Sequence, residues 1–148
     1  MKAHIGVDAE SALVHTVRGT AGHAADVTEG NSLLHGEETA VFADAGYQGA
    51  DKRPDARPGV CWYVAMRPGK RKKLDKANSP VDALIDKIEK CKASIRAKVE
   101  HPFRVVKRQF GYQKVRYRGL KKNTLQLKTL FALSNLWMVR RQVMAMQG

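Results

Sequence analysis

Glu100 is the last acidic residue of the chain: from His101 to Gly148 there is no Asp or Glu, against 11 Lys and Arg. It stands in Arg-Ala-Lys-Val-Glu-His-Pro-Phe-Arg-Val-Val-Lys, residues 96–107, with Arg96 four residues before it and Lys107 seven after. Those spacings are one and two helical turns, so the three side chains share a face if the helix continues through Pro102. A lone carboxylate among cations is either an ion-pair partner or a metal ligand beside a polyanion site. Asp44 is the second acid of interest. It follows the apolar run Thr-Ala-Val-Phe-Ala and precedes Ala-Gly-Tyr-Gln-Gly, small neighbours that leave its carboxylate open. It reads either as a turn Asp before Gly46 or as a ligand. A strand-end Asp and a helix Glu, far apart in sequence, are what two-metal phosphoryl transfer needs, with divalent ions about 4 Å apart. Arginine and lysine beside them would hold phosphates.

The charge distribution favours a polyanion. Residues 1–58 carry 5 basic and 9 acidic side chains, and residues 59–148 carry 22 basic and 5 acidic. The net charge of +13 is therefore concentrated in one part of the chain. A cationic stretch of that density attracts nucleic acid, with an anionic membrane surface or a solvated face as the weaker readings. The longest apolar stretch, from Leu125 to Val139, holds Gln126, Lys128, Ser134 and Asn135 and is too short and too polar to span a bilayer. Lys2, His4 and Asp8 interrupt any secretory signal. Cys61 and Cys91 make neither a disulfide framework nor a zinc site, which fits a reducing cytoplasm. Cys61 reads as a small core residue, and Cys91 falls among lysines on a helix.

The elements that must position these residues run from β to α. At 148 residues and 43% hydrophobic, the chain suits one domain, 1–148, with a real core. Lys2–Val7 and Leu13–Val17 are β-rich runs joined by a hairpin-like connection. A helix is expected over 26–34, capped by Asp26 or Thr28 and stopped at Gly36. Thr39–Ala43 is a buried strand that delivers Asp44, and Val60–Met66 is the next strand. A basic loop follows over 67–80. From Val81 the periodicity predicts a helix with Leu84, Ile85, Ile88, Cys91 and Ile95 on one stripe, and this helix carries Glu100. Asn123 caps a last helix over about 123–146. Strands first and long helices later give α+β or α/β.

Several segments, in order, carry a resemblance: "MKAHIGVDAESALVHTV", "VFADAGYQG", "VAMRPGKRKKL", "IRAKVEHPFRVVKRQFGYQKVRYRGL" and "NTLQLKTLFALSNLWMVRRQV". The chain resembles the DDE transposases of bacterial insertion sequences, in the families numbered four and five. The resemblance covers nearly the whole chain. It implies an α/β, RNase H-like mixed sheet with flanking helices, missing the first strand. By resemblance Asp44 corresponds to the family's second catalytic Asp and Glu100 to its catalytic Glu, both ligands of Mg²⁺ or Mn²⁺. The family's Tyr, two residues, Arg, three residues, Glu, six residues, Lys is matched by Arg96, Glu100 and Lys107, with Ala93 at the Tyr position.

The resemblance also places the first catalytic Asp upstream of "MKAHIGVD". The expectation is therefore a C-terminal part of a transposase, inactive alone, with Asp8 in a hairpin turn and not at the metal site. DNA contacts are expected from Arg96, Lys107, Lys70, Arg71, Lys72, Lys73, Arg104, Arg108, Arg116 and Arg118. The implied partners are terminal inverted repeats and target DNA in the nucleoid, and a second copy or an intact transposase. The alternative is a non-catalytic DNA-binding remnant that interferes with an intact enzyme. An RNA-binding basic protein has only charge in its favour. His23 and Asp26 are explained by a loop and a helix cap. The segment from Arg67 lacks Walker spacing and reads as a flexible loop tracking DNA backbone. Trp62, Phe131 and Trp137 read as core.

Overall fold

The computed structural model describes residues 1–148, which divide into two compact units. The first contains residues 1–24, 33–35 and 98–148, and the second contains 25–32 and 36–97.

In the first unit, β1 (Lys2–Val7) and β2 (Val14–Thr20) pair antiparallel, with Ile5 opposite Val17. Asp8 builds the turn between them. Its Oδ2 accepts from the Glu10 amide, the Ser11 amide and the Ser11 hydroxyl. Those donors hold the Asp8 carboxyl below the usual carboxylate range, with the Ser11 hydroxyl the main cause. The turn role expected of Asp8 is the one it has. A bulge follows, because Val7 faces Val14 while Gly6 faces Thr16, leaving His15 as the extra residue.

The period-two pattern of β1 sends Ala3, Ile5 and Val7 to one side. They meet α5 (Leu120–Gln147), whose buried positions are Asn123, Leu127, Phe131 and Ser134, spaced at helical turns. Ile5, Val106, Leu127 and Phe131 form the core, and Phe103 meets Phe131 edge-on at 5.2 Å. Phe131 is core as expected. Trp137 is not: it lies at the surface under the Arg140 guanidinium, 4.1 Å from the ring centroid. Asn123 is not the cap either. The helix starts after Gly119, and the buried Asn123 amide instead donates to the Tyr117 and Gly119 carbonyls.

In the second unit, β3 (Ala40–Ala43) and β4 (Cys61–Val64) pair parallel, and Phe42 stacks on Tyr63 at 5.0 Å. Alternation along β4 leaves Cys61 and Tyr63 exposed, so Cys61 is not a core residue. The helix expected over 26–34 is shorter. α1 spans Asp26–Glu29, begins after Ala25 without a side-chain cap, and gives way at Gly30 to a 3₁₀ turn over Asn31–Leu33. Gly30 permits close packing there: a Cβ would meet the Trp62 ring at 3.1 Å and Tyr47 at 3.2 Å. The basic loop contains its own turn of helix, α2 (Pro68–Arg71).

The largest departure is α3 (Pro80–Arg96). Ser79 caps it and Pro80 opens it, as helix starts prefer. Yet the expected apolar stripe is not its buried face: Leu84, Ile88 and Cys91 are exposed and Ile85 and Ile95 only half-buried. The buried residues are Asp86 and Glu89. Arg71, Lys76 and the Met66 amide from the preceding segment, with Lys90 and Lys92 of α3 itself, satisfy these acids, so the buried face of the helix is a polar stripe. Nor does α3 carry Glu100. It ends at Arg96, a 3₁₀ turn covers Ala97–Val99, and α4 (Glu100–Arg104) begins at Glu100. Pro102 is the reason. Within one continuous helix it would leave a carbonyl unpaired and crowd the preceding turn, whereas in the first turn of α4 its missing N–H costs nothing.

Candidate active site and cation-rich surface

Asp44 and Glu100 lie in different units, so each is described in its own setting. Asp44 stands one residue past β3, at the start of a 3₁₀ turn over Ala45–Tyr47. It is exposed, and Oδ1 accepts from the Gly46 amide at 2.8 Å. The turn reading of Asp44 is therefore the one observed, made by one oxygen, while the other is uncommitted.

Gly46 leaves these carboxylates room, since anything larger would press on them. A Cβ there would lie 2.9 Å from Asp26 Oδ2 and 3.0 Å from Asp44 Oδ1. Asp26, at the start of α1, thus flanks the same glycine as Asp44. Tyr47 registers the local field. Its phenol is pushed up to about 12 by burial first, and then by Asp26, Asp44 and Glu29. Three carboxylates around one half-buried tyrosine make this corner of the second unit acidic within a strongly basic chain. Sequence reading gave Asp26 only a capping role. The i, i+3 pair Asp26 and Glu29 on one helical turn was the available signal.

Glu100 opens α4 in the first unit. Its carboxylate is exposed and makes neither an ion pair nor a hydrogen bond. Glu100 is therefore not an ion-pair partner. One turn later the backbone widens into a π-helix over Val105–Gln109. Such wide turns are rare and often found at functional sites. Lys107 sits in it, exposed, with Nζ 5.8 Å from the centroid of the Phe103 ring. A straight α-helix carrying Arg96, Glu100 and Lys107 on one face is not what forms. Between Arg96 and Lys107 the winding changes from 3₁₀ to α to π.

Both carboxylates suit a hard divalent cation. Mg²⁺ prefers one or two protein carboxylates and keeps several waters, which needs exposed, uncrowded oxygens. Asp44 offers one such oxygen and Glu100 two.

The expected DNA-contact residues separate into kinds. In the first unit Arg104, Lys107, Arg108, Arg116 and Arg118 are all exposed. In the second unit Lys70, Lys72 and Lys73 are exposed, while Arg71 is half-buried and ion-paired to Asp86 at 2.9 Å. Arg96 is partly buried, with its Nε lacking a partner. No helix is long and apolar enough to cross a membrane.

The carboxylates missed in the sequence are those of α3. Asp86 receives Arg71, Lys76 at 3.3 Å and Lys90 at 3.2 Å. Arg71 above all, then Lys90 and Lys76, hold the Asp86 carboxyl down at about 2. Glu89 accepts from the Met66 amide at 2.8 Å and pairs with Lys92 at 2.8 Å. Burial raises the Glu89 carboxyl, but Lys92 and the Met66 amide outweigh it and the net shift is downward.

A family model described as the transposase DDE domain matches residues 1–136. No solved structure matches the chain. The mixed architecture of short antiparallel and parallel sheets with flanking helices is that of an RNase H-like DDE domain. A match over nearly the whole chain, on a molecule with two open carboxylates and a cation-rich surface, settles the family: this chain belongs to the DDE transposases.

Proposed function

We propose that this domain belongs to an enzyme that cleaves and joins DNA at the ends of a transposable element, with Asp44 and Glu100 each serving as a divalent-metal ligand. The observation that carries this reading is the state of the two acids. In a chain of 27 Lys and Arg, Glu100 has no cation partner and Asp44 keeps one oxygen free. Mg²⁺ or Mn²⁺ bound there would supply activation of the attacking oxygen and relief of charge on the leaving one. The chain's own residues do the rest. Exposed Lys and Arg hold the phosphates, which fixes the register of the strand but reads no sequence. The terminal inverted repeats and target DNA are the proposed substrates, in the nucleoid of a bacterial cytoplasm, with a second copy or an intact transposase as protein partner.

The test is metal-dependent nicking of a duplex carrying the element's ends by an intact transposase that contains this domain. Asp44→Asn and Glu100→Gln should each abolish nicking while leaving DNA affinity intact. Nicking that survives either substitution removes that acid from the site. The exposure of Lys70, Lys72, Lys73, Arg104, Lys107, Arg108, Arg116 and Arg118 favours DNA contact independent of chemistry. Salt-sensitive DNA binding by this domain, without nicking even when it is part of an intact transposase, would support the second reading, a non-catalytic remnant competing for the element's ends.

A further inference from the structure

Four consecutive cations, Lys70 to Lys73, do not behave alike. Lys70, Lys72 and Lys73 are exposed, and none has a partner in the protein. Arg71 turns inward to Asp86, whose side chain is only 5% exposed. Lys76, at the far end of the same segment, reaches the same Oδ1, and Lys90 reaches Oδ2. One helical turn earlier, Asp82 Oδ2 accepts from the Asp75 amide at 2.9 Å. Asp75 in turn accepts from the Asn78 backbone and side-chain amides. The run from Arg71 to Asn78 is therefore tied to α3 at two aspartates one turn apart. A lysine-rich loop without such ties would lose much of its conformational freedom on meeting DNA. Here that ordering cost is met in the free protein.

We infer that Asp86 is a positioning residue for DNA binding: it anchors Arg71 and Lys76 so that Lys70, Lys72 and Lys73 form a fixed row of phosphate contacts. The inference rests on the reading that this segment contacts DNA. Arg71 is then an anchor and not a contact. The clamp persists at any physiological pH, because Asp86 stays ionised down to about 2.

The sign of one substitution separates positioning from simple charge. Asp86→Asn removes a negative charge and leaves Arg71, Lys76 and Lys90 unneutralised. If only net charge mattered, DNA would bind more tightly and the lysines would contribute as before. Positioning requires the lysine contribution to fall.

The experiment measures the affinity of a fluorescein-labelled duplex against NaCl for the protein with and without Lys70→Gln, Lys72→Gln and Lys73→Gln together. The same comparison is then made on Asp86→Asn, Asp86→Glu and Arg71→Ala backgrounds. In the otherwise native protein the triple substitution should weaken binding and lower the salt slope by up to about three units. In Asp86→Asn and Arg71→Ala the same triple should lower the slope by no more than about one unit, and Asp86→Glu should restore most of the difference. Arg71→Ala leaves Asp86 paired with Lys76 and Lys90, so it tests the anchor even if Asp86→Asn fails to fold. An unchanged slope on the native background would overturn the DNA reading and this inference together. A triple effect of equal size on all backgrounds would overturn the inference alone. So would a fall of about one slope unit from Arg71→Ala itself with the lysine effect intact, since Arg71 would then be a contact.

Discussion

Asn135, on α5, closes two hydrogen bonds on the backbone of Val14, 121 residues away: Val14 N–H donates to Asn135 Oδ1 at 2.9 Å, and Asn135 Nδ2 donates to the Val14 carbonyl at 2.8 Å. The side-chain amide acts as a one-residue strand. It occupies the place where the bulge in β2 disturbs the ladder.

Asn135→Ala should cost about 1–3 kcal/mol, since two net hydrogen bonds go and the Val14 groups are left to find water in a half-buried position. Chemical denaturation would measure it. Asn135→Asp should be more harmful than Asn135→Gln, because a carboxylate has no hydrogen to give the Val14 carbonyl.

Phe131 fills the centre of the first unit at 1% exposure. Phe131→Ala should cost about 3–5 kcal/mol through lost burial and the cavity left behind. Trp137→Ala, two turns of the same helix further along and at the surface, should cost under about 1 kcal/mol. Equal losses at the two sites would contradict the packing.

Acid should destabilise the protein as pH falls through the carboxylates' ordinary range and below it. Asp8, Asp75, Asp86 and Glu89 all have lowered carboxyl pKa values. The unfolded chain therefore binds more protons between about pH 4.5 and pH 2, and stability rises with pH across that window. Their contribution is full above about pH 4.5 and is lost as pH falls toward about 2. Thermal unfolding between pH 6 and pH 2.5 should show it. Asp86→Asn should flatten the lower part of the curve, where that carboxyl titrates last.

Mn²⁺ binding offers a check on the two open acids that does not depend on catalysis. Asp44→Asn and Glu100→Gln should each weaken Mn²⁺ binding by about tenfold or more, read by the paramagnetic broadening of water protons. Asp8→Asn should leave it unchanged if Asp8, whose Oδ2 takes the three donors of its turn, has that turn as its only role.

Strand periodicity and turn chemistry made the β1–β2 hairpin, β3 and the Asp8 turn legible in the sequence. Leu127 and Phe131 at helical spacing did the same for α5. The face of α3 was misread for a definite reason. Leu84, Ile85, Ile88, Cys91 and Ile95 form a regular stripe, but burial depends on what comes to meet a helix. Asp82, Asp86 and Glu89 met Arg71, Lys76 and two backbone amides. No periodicity of α3 alone contains that information. Pro102 did announce a break, yet whether a proline kinks a helix or restarts it depends on the flanking turns. At the candidate site, the strand-end place of Asp44 was legible from residue type and pattern, and the start of a new helix at Glu100 was not. The company of Asp26 and Glu29 around Tyr47 needed the fold.

The first unit is assembled from both ends of the sequence, with residues 36–97 given over to the second. That arrangement has a consequence for synthesis. β1 and β2 leave the ribosome well before α5, and Ile5 finds Leu127 and Phe131 only after more than a hundred further residues have been made. At about 5–20 residues per second the delay is on the order of ten seconds. A lone two-stranded hairpin is marginal in water over that time. The second unit, continuous over most of its length, can close while the hairpin waits. The hairpin is thus made before the second unit yet sheltered from proteases after it.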